Sequence, residues 1–592
     1  MSRRRLALRG LLSAWILVVS STAVTADPAR DLTKLCDDYW QGYLRSHPVD
    51  ATTVGDRRYD DRLEDNSPAG TARERARLNA VRARAQAIPE SALAPGDRLT
   101  RTALMLETRN QLDEILCGFD QWVVDPGSGP QVGLMSLADY TVIATPADAD
   151  HYVARARAMG PYMDQHVANL RRGLAAGKVA NRIAIDKTLE DLDSLMVRAP
   201  AEWPLASPAR EPHPAWKPAE RDRFKAGIIA ATREVVLPAF GRYRDFLRAE
   251  VRPAARSPEQ AGLSFLPGGR EAYRRRIRTQ TSLDRTPEEL HQLGLEAVAR
   301  VRAELSALGG TVLGTTDVAA IQRRLRNDPA MHFATAEEVE DKARTTLARS
   351  KAAIPAYFGL LPKADCQVKV ISAFEAPHTT IAYYRESAAD GSRPGYYMIN
   401  TYAPTTRPRY EAEALAFHES IPGHHLQIAI AQELTELPEF RRHQGVTAFV
   451  EGWALYTERL ADEMGLYSSG LDRIGMLSFD AWRACRLVVD TGLHALGWSR
   501  QQAIDYMVAN TVLAENNVVN EVDRYLADPG QALAYKMGQL EILALRDEAR
   551  AKLGDRFDLK RFHDVVLMNG AVALPVLRGQ VEAWIASGGV RN

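Results

Sequence analysis

The chain has 592 residues, which is long enough to bury a large hydrophobic core. Its content of 46 % hydrophobic and 25 % charged residues is ordinary for a globular protein. Basic and acidic residues are equal in number, at 75 each, so the charge balance gives no indication of nucleic-acid binding. We therefore expect a globular protein of enzyme size, with no nucleic acid as a partner.

The first 26 residues have the pattern of a cleavable signal peptide. Residues 2–5 are Ser-Arg-Arg-Arg, residues 11–19 are mostly apolar, and residues 24–26 end the segment with Val-Thr-Ala. The apolar part is shorter than the ~20 residues that cross a membrane as a helix. The basic start also resembles a twin-arginine signal, and an ordinary secretory signal is an equal alternative. We expect a periplasmic or secreted protein without a membrane anchor.

Most of the remaining chain has apolar residues at every third or fourth position, which is typical of α-helices. The predicted helices cover residues 70–89, 96–116, 147–176, 180–197, 218–250, 286–309 and 335–354. Stretches rich in proline or glycine separate them at 124–130, 199–217 and 252–269. We expect a single domain over 27–592, in which the 199–217 stretch can divide an N-terminal helical lobe, 27–210, from a second lobe, 211–592.

One region before residue 410 departs from the helical pattern. Three short runs of β-branched or aromatic residues, separated by turn residues, lie at 367–371, 379–384 and 396–400. They predict a small β-sheet, after which helical periodicity returns. The segment from Tyr396 to Tyr402 is a candidate edge strand for pairing with an extended peptide, with Tyr397 as a candidate substrate contact. An ordinary strand within the sheet is the alternative.

The four cysteines are Cys36, Cys117, Cys366 and Cys485. An even number in an exported protein permits two disulfides, with three possible connectivities. Burial as small unpaired side chains is the alternative, and it is favoured for Cys485 inside a helical pattern. No two cysteines have the spacing of a metal site, so we expect no cysteine ligands.

Residues 418–425 read His-Glu-Ser-Ile-Pro-Gly-His-His and carry the strongest chemical signal. Hydrolytic zinc sites use about three protein ligands, an open position for water and a base beside that water. In the common helical motif H-E-x-x-H, two histidines one turn apart bind the metal and the glutamate acts on the water. We therefore expect one zinc ion, with His418 as a ligand and Glu419 as the general base.

The second half of this motif is altered, because Pro422 stands where the second histidine is expected. The next histidines are His424 and His425. On an ideal helix the seventh residue after His418 returns to the same face about 10 Å further along the axis, and the sixth points about 120° away. Pro422 and Gly423 should break and widen the helix, which would bring one of the two histidines back over His418. We favour His424, with His425 as the alternative.

A third ligand is expected from a second helix a few dozen residues further on. Residues 449–458, Phe-Val-Glu-Gly-Trp-Ala-Leu-Tyr-Thr-Glu, fit this expectation. Glu451 lies 33 residues after His418, and Glu458 follows Glu451 two turns later on the same face. We predict that Glu451 binds the metal and that Glu458 accepts a hydrogen bond from a ligand histidine.

Four strings resemble bacterial domain-of-unknown-function family 885 over nearly the whole chain after the signal segment. They are HPVDATTVGDRRYDD, HESIPGHHLQ, FVEGWALYTE and DPGQALAYKMG. More distantly, the layout is similar to zinc metallopeptidases of the thimet-oligopeptidase and angiotensin-converting-enzyme type, whose Phe-Val-Glu segment matches residues 449–451. That similarity implies a mostly α, two-lobed fold around a deep cleft, here with a small sheet before the motif helix. Two inserted residues between the ligand histidines depart from its pattern.

The same resemblance implies that a tyrosine or histidine from the C-terminal region stabilises the oxyanion of the reaction. Tyr535 is the candidate, with Tyr525 as a weaker substitute and an aromatic core contact as the alternative role of Tyr535. Gln531 lies one helical turn before Tyr535 and should face the same cleft.

Four further polar residues share one helical stretch: Arg483, Arg486, Asp490 and His494. A buried ion-pair network is the favoured interpretation. The alternative is that these four residues orient the site or bind a substrate carboxylate, with Arg483 and His494 as the first candidates.

Together, these residues predict an exported zinc metallopeptidase that cleaves short peptides, with Glu419 as general base. One alternative keeps the metal but acts on a non-peptide substrate, as an esterase, lactonase or amidase. A second alternative is a non-catalytic periplasmic binding or scaffold protein whose site has decayed.

Overall fold

The computed structural model describes residues 27–371, 376, 380–387 and 393–590. The predicted signal peptide at 1–26 lies outside the described residues, and so does the first residue of the predicted strand 379–384. In the described part of the chain, no helix combines the length and the hydrophobicity needed to cross a membrane.

Helices make up most of the described chain, so the predicted mostly α fold is confirmed. In the N-terminal part they are α1 (Pro28–Ser46), α2 (Pro48–Thr53), α3 (Pro68–Ala87), α4 (Pro95–Cys117), α5 (Pro130–Tyr140), α6 (Pro146–Ala175), α7 (Arg182–Met196), α8 (Pro218–Ala231) and α9 (Leu237–Phe246). Next come α10 (Gly269–Thr281), α11 (Pro287–Leu313), α12 (Val318–Asn327), α13 (Ala336–Ala353), α14 (Ala412–Glu419), α15 (His424–Glu433), α16 (Glu439–His443) and α17 (Thr447–Glu463). The last are α18 (Gly470–His494), α19 (Arg500–Asn510), α20 (Glu515–Ala527), α21 (Ala534–Leu553), α22 (Leu559–Leu567) and α23 (Leu574–Ala586).

Local sequence sets many of the helix starts. Several helices begin with a proline, whose fixed φ and missing N–H suit the first helical position. Thr145 and Thr286 cap α6 and α11 in capping boxes with Asp148 and Glu289, so that backbone N–H groups at both starts are satisfied. These signals explain why the predicted boundaries at 147–176 and 286–309 lie close to the observed ones.

The predicted small sheet has three strands, β1 (Cys366–Val370), β2 (Ala382–Arg385) and β3 (Gly395–Ile399). Their order is β1-β3-β2, with β1 parallel and β2 antiparallel to β3. Of the two alternatives for the segment from Tyr396 to Tyr402, the structure shows an ordinary strand within the sheet, because β3 has a hydrogen-bonded neighbour on each side. A substrate peptide therefore cannot extend the sheet at β3.

The helices pack around several hydrophobic clusters. One joins α1–α4 and α16, one joins α5–α9, one centres on α11 and α18–α20, and one joins the sheet to α13–α15, α17 and α21–α23. The second cluster contains residues on both sides of the proposed lobe boundary at 210/211, and the division into two lobes around a deep cleft stays a prediction. α14 lies between the last two clusters, since Ala414 packs in one and Ala416 in the other. The motif helix is therefore held from two sides.

Two helices that carry candidate site residues cross without side chains between them. On α17, a Cβ atom added at Gly452 would lie 2.3 Å from the Gly538 Cα atom of α21. A Cβ atom added at Gly538 would lie 1.7 Å from the Ala448 carbonyl oxygen. Only glycine permits backbones to approach this closely. The crossing fixes the positions of Glu451, one residue before Gly452, and of Tyr535, three residues before Gly538.

All four cysteines are buried and unpaired. Burial as small hydrophobic side chains, the alternative that the sequence left open, is therefore what the structure shows, and no disulfide links the helices.

We expect Gly452→Ala to lower the free energy of unfolding by more than about 2 kcal/mol, because a methyl group cannot fit between the two backbones. Gly579 on α23 is a matched control, since a Cβ atom there would meet nothing within 4 Å. Gly579→Ala should raise stability by about 0.5–1 kcal/mol, because alanine favours the helix. Urea denaturation followed by circular dichroism measures both effects. Equal effects of the two substitutions would contradict the tight crossing.

Candidate metal centre

The motif segment folds as two short helices with a break between them. α14 ends at Glu419 and α15 begins at His424, with a cis Ile421–Pro422 bond in the break. A Cβ atom added at Gly423 would lie 1.9 Å from the carbonyl oxygen of His418. The start of α15 therefore rests directly on the last turn of α14, and only glycine allows this contact. His424 returns beside His418, with ring centroids 4.8 Å apart.

α17 supports the break through side chains that bind its carbonyl groups. The indole Nε1–H of Trp453 donates to the Pro422 carbonyl at 3.0 Å. The hydroxyl of Thr457 donates to the Phe417 carbonyl at 3.3 Å. These carbonyls lie at the end of α14, where the chain leaves the helix and part of the intrahelical pairing is lost. Sequence reasoning missed both residues, because nothing in their spacing identifies them as caps for a distant helix.

Three predicted ligand residues converge at this point. His418, His424 and Glu451 each offer a donor atom, and these atoms lie within 4.8 Å of one another. The Glu451 Oε2 atom is 3.6 Å from His418 Nε2 and 3.4 Å from His424 Nε2. This oxygen is buried and has no hydrogen-bond partner. The two imidazoles and the carboxylate thus face a common point between them.

Glu458 fixes the orientation of the first histidine. Its Oε1 atom lies 2.8 Å from His418 Nδ1, and both side chains are buried. This contact leaves Nε2 of His418 directed at Glu451. A carboxylate that holds one ring nitrogen while the other faces a metal is common in metal sites. The structure thus places Glu458 where its predicted role requires.

Burial and charge act in opposite directions on the ionisable groups here. Burial lowers the pKa of His418, but Glu451 and Glu458 outweigh it and raise that pKa to about 9. Burial raises the pKa of Glu451, but His424 and His418 hold it well below its usual value. Burial raises the pKa of Glu419, and the two histidines offset only part of this. The carboxyl groups of Glu451 and Glu419, on two different helices, therefore differ in proton affinity.

His425 faces away from this cluster. Its Nδ1 atom lies 3.0 Å from the hydroxyl of Tyr384 on β2, and its Nε2 atom lies 3.1 Å from the Ala364 carbonyl. Both ring nitrogens are thus engaged with the sheet side of the fold. Of the two histidines that the sequence left open, the structure brings His424 to His418 and Glu451.

Tyr535 at the start of α21 lies next to the cluster. Its ring centroid is 6.4 Å from that of His418, and the two rings are nearly parallel at 19°. The Nε2 amide of Gln531 donates to the Tyr535 hydroxyl at 3.3 Å. Burial raises the pKa of Tyr535, so its hydroxyl keeps a proton that it can donate at neutral pH. The structure thus brings both residues to the site.

The substitute, Tyr525, is engaged in a buried network. Its hydroxyl accepts hydrogen bonds from Arg486 Nε at 2.9 Å and Trp482 Nε1 at 3.1 Å, and it donates to Glu521 at 2.7 Å. A hydroxyl held by three protein groups has no capacity left for an oxyanion. The geometry favours Tyr535 over Tyr525 for that position.

The remaining candidates divide into two groups. Arg483 is buried close to Tyr535, with its guanidinium carbon 5.8 Å from the ring centroid. Tyr397 is buried on β3, where burial and the charge of Glu419 raise its pKa. The ring nitrogens of His494 contact the Leu263 N–H and the Tyr525 carbonyl. His494 also lies about 16 Å beyond Arg483 along α18. The structure therefore brings Arg483 and Tyr397 to the site but not His494.

The family model for bacterial proteins of unknown function, DUF885, matches residues 48–581. The chain belongs to the DUF885 family. The match includes every candidate site residue, so the resemblance to this family is confirmed. No curated protein matches the chain, and membership of DUF885 brings no activity with it.

Two solved structures share the fold of this DUF885 chain along nearly its whole length. A "putative lipoprotein" from Colwellia psychrerythraea has a TM-score of 0.90 at 28 % identity, covering 95 % of this chain and 100 % of that one. A "putative lipoprotein of unknown function" from Shewanella oneidensis has a TM-score of 0.71 at 19 % identity, covering 94 % and 99 %. A carboxypeptidase from Pyrococcus furiosus reaches only 0.33 at 10 % identity, covering 88 % and 98 %. That similarity carries no argument for kinship with metallopeptidases.

The turn before Tyr535 is held by Asp490, near the C-terminal end of α18. Its carboxyl group accepts hydrogen bonds from the Tyr273 hydroxyl at 2.6 Å and from the Gly530 N–H at 3.1 Å. Burial raises the pKa of Asp490 from 3.8 to about 7. The folded protein therefore binds a proton here that the unfolded chain releases at a lower pH.

This raised pKa predicts a pH-dependent loss of stability. The contribution of the protonated carboxyl is complete below about pH 4 and declines as the pH rises through 7, where Asp490 is half ionised in the folded state. From pH 5 to pH 8, the free energy of unfolding of Asp490→Asn should therefore rise relative to wild type, by up to about 3 kcal/mol. Urea denaturation at both pH values measures this change.

Asp148→Asn is the control for this measurement. Despite partial burial, Arg57 and the start of α6 lower the pKa of Asp148 to about 2, so it is ionised throughout this pH range. Its effect on stability should be the same at pH 5 and pH 8. A constant difference for Asp490→Asn as well would show that Asp490 does not titrate in this range.

Proposed function

We propose that this protein is an exported zinc-dependent hydrolase, and specifically a metallopeptidase that cleaves short peptides. One zinc ion would be held by His418, His424 and Glu451. The observation that carries the proposal is the convergence of these three side chains around the Oε2 atom of Glu451, which is buried and accepts no hydrogen bond. A buried carboxylate oxygen without a hydrogen bond is costly, and a metal ion offsets that cost.

The donor set fits zinc in a hydrolytic site. Two imidazoles and one carboxylate leave a fourth position open, which is the composition found in zinc peptidases. No cysteine lies in the cluster, whereas closed structural zinc sites are usually rich in cysteine. The contact between Glu458 and His418 Nδ1 supplies the supporting carboxylate that such sites use.

Bound there, zinc would polarise the carbonyl under attack and acidify a water molecule. Glu419 follows His418 on α14, and burial raises its pKa, which suits a group that must both accept and release a proton. Its carboxylate takes the proton of the attacking water and delivers it to the leaving amine. The hydroxyl of Tyr535 donates a hydrogen bond to the oxyanion as the carbonyl becomes tetrahedral.

Export is supported by the signal-like pattern of the first 26 residues. The two proteins that share the fold along nearly its whole length are both described as lipoproteins, a class of exported protein. We propose a periplasmic or secreted location for this chain. Its substrates would then be peptides that are already outside the cytoplasm.

Zinc binding distinguishes the two histidines. We expect His424→Gln to lower the zinc content from one ion per chain to well below that value, because a metal ligand is lost. His425→Gln should keep one zinc ion, since His425 contacts Tyr384 and Ala364 instead. Elemental analysis of the purified proteins measures both. Full zinc content in His424→Gln would exclude it as a ligand, and a wild-type protein without zinc would exclude the proposed site.

Two further substitutions should separate zinc binding from hydrolysis. We expect Glu419→Gln to keep its zinc and lose peptide hydrolysis, because the base is removed. Tyr535→Phe should keep its zinc and lower kcat by roughly 10²–10³-fold, the usual effect of losing one oxyanion donor. Tyr402→Phe, at an exposed tyrosine, is the control and should leave kcat unchanged.

A peptide library together with a panel of esters, lactones and non-peptide amides provides the assay. Hydrolysis of esters without cleavage of any peptide would contradict the peptidase assignment while leaving the metal centre intact. Full peptidase activity in Glu419→Gln would contradict the mechanism.

A further inference from the structure

Arg483 is a buried cation without a hydrogen-bonded carboxylate among the described residues. It is 5 % exposed, and its Nε and Nη1 atoms are buried without a hydrogen-bond acceptor. Of the nearby carboxylates, Glu411 accepts from the Ser478 hydroxyl, and Glu458 contacts His418 through Oε1 while its Oε2 atom has no hydrogen-bond partner. Burying a guanidinium without an acceptor is costly, so such an arrangement is maintained where a ligand supplies the anion.

A second arginine close to Arg483 also has a buried N–H group without an acceptor. Arg486 is 3 % exposed, and its Nη1 atom is buried without an acceptor. Its other nitrogens are used, since Nε donates to Tyr525 and Nη2 donates to Glu521. Glu521 also pairs with Arg524. Arg486 and Arg524 therefore share one carboxylate, so two guanidinium groups are paired with a single negative charge.

Both guanidinium groups lie beside the proposed oxyanion donor. The guanidinium carbon of Arg486 is 4.4 Å from the centroid of the Tyr535 ring, and that of Arg483 is 5.8 Å away. The guanidinium carbons of Arg486 and Arg483 also lie 4.5 and 4.2 Å from the centroid of the Trp482 ring. This stacking on Trp482 holds both guanidinium groups in place. The Tyr535 ring also lies 6.4 Å from the ring of His418. Tyr535 therefore adjoins both the two guanidinium groups and the cluster.

We infer that Arg483 and Arg486 bind a carboxylate of the substrate, and that this carboxylate is the free C-terminus of a peptide. The inference rests on the proposed function, because it places the scissile bond at His418, His424 and Glu451. About three extended residues span about 10 Å, which is enough to join that bond to the two arginines. The substrate class is thus peptides with a free C-terminus a few residues from the cleaved bond. A planar guanidinium suits a carboxylate because two N–H groups can bind its two oxygens.

Binding tests this assignment without turnover. The zinc-loaded Glu419→Gln protein is titrated in a calorimeter with the tripeptide Gly-Gly-Phe as the free acid and as the C-terminal amide. We expect the free acid to bind at least tenfold more tightly. A third probe, Gly-Gly-Glu amide, carries a carboxylate only in its side chain and should bind as weakly as the first amide. Equal affinity for free acid and amide would overturn the proposal, and tight binding of the third probe would reassign the site to acidic side chains.

Substitution of the arginine provides the second test. In the Glu419→Gln background, Arg483→Met should abolish the preference for the free acid, and Arg483→Lys should retain part of it. Arg473→Met is the matched control, because Arg473 lies on the same helix in an exposed ion pair with Asp462. The control should leave the preference unchanged. An undiminished preference in a folded, zinc-bound Arg483→Met protein would overturn the role of Arg483.

Kinetics separate this inference from the proposed function. With Glu419 intact, kcat/KM for peptides with a free C-terminus should fall 10–100-fold in Arg483→Met, while that for peptide amides should stay the same. If the wild-type protein cleaves peptides without preferring a free C-terminus, the carboxylate site is wrong and the proposed function stands. If it cleaves no peptide but binds the free acid selectively, the proposed function is wrong and the carboxylate site stands.

Discussion

The contact between the Gly423 backbone and the carbonyl oxygens of Phe417 and His418 determines the geometry of the candidate site. A continuous helix would place His424 about 120° around the axis from His418. Because the chain breaks after Glu419 and α15 starts on top of α14, the two imidazoles are neighbours, with centroids 4.8 Å apart. α17 then supplies the third ligand candidate, Glu451, and the caps for the break, so one helix both completes and supports the cluster.

The charges around His418 follow from that arrangement. Two carboxylates approach the two sides of one buried imidazole, Glu451 at Nε2 and Glu458 at Nδ1. They raise the pKa of His418 to about 9 against the effect of burial. Beside Tyr535 lie the guanidinium groups of Arg483 and Arg486, and each has a buried N–H group without an acceptor. The site therefore has an acidic half at the proposed metal centre and a basic half beside it.

Short-range patterns predicted much of this protein. The helix starts, the three strands and the break at Pro422 were predictable, because proline, capping residues and β-branched runs act on the adjacent backbone. The set His418, Glu451 and Glu458 followed from helical spacing. The choice between His424 and His425 did not, because it depends on how α15 rests on α14 and on Tyr384 from β2. Strand order also depends on tertiary packing, so the sequence could not decide between an edge strand and an ordinary strand within the sheet for the segment from Tyr396 to Tyr402. The lack of a hydrogen-bond acceptor for Arg483 could not be predicted from the sequence either, since it depends on the contacts that the nearby carboxylates make in the folded chain.

The close crossing of α17 and α21 also limits how the site can adapt. Backbone meets backbone at Gly452 and Gly538, so no side chain there can change rotamer to let the helices slide. Glu451 and Tyr535 are consequently held at a fixed separation before any substrate arrives. Such preorganisation reduces the reorganisation needed at the moment of reaction. It also means that a ligand of the wrong length or shape cannot be accommodated by movement of these two helices, so selectivity at this end of the site is a property of the backbone.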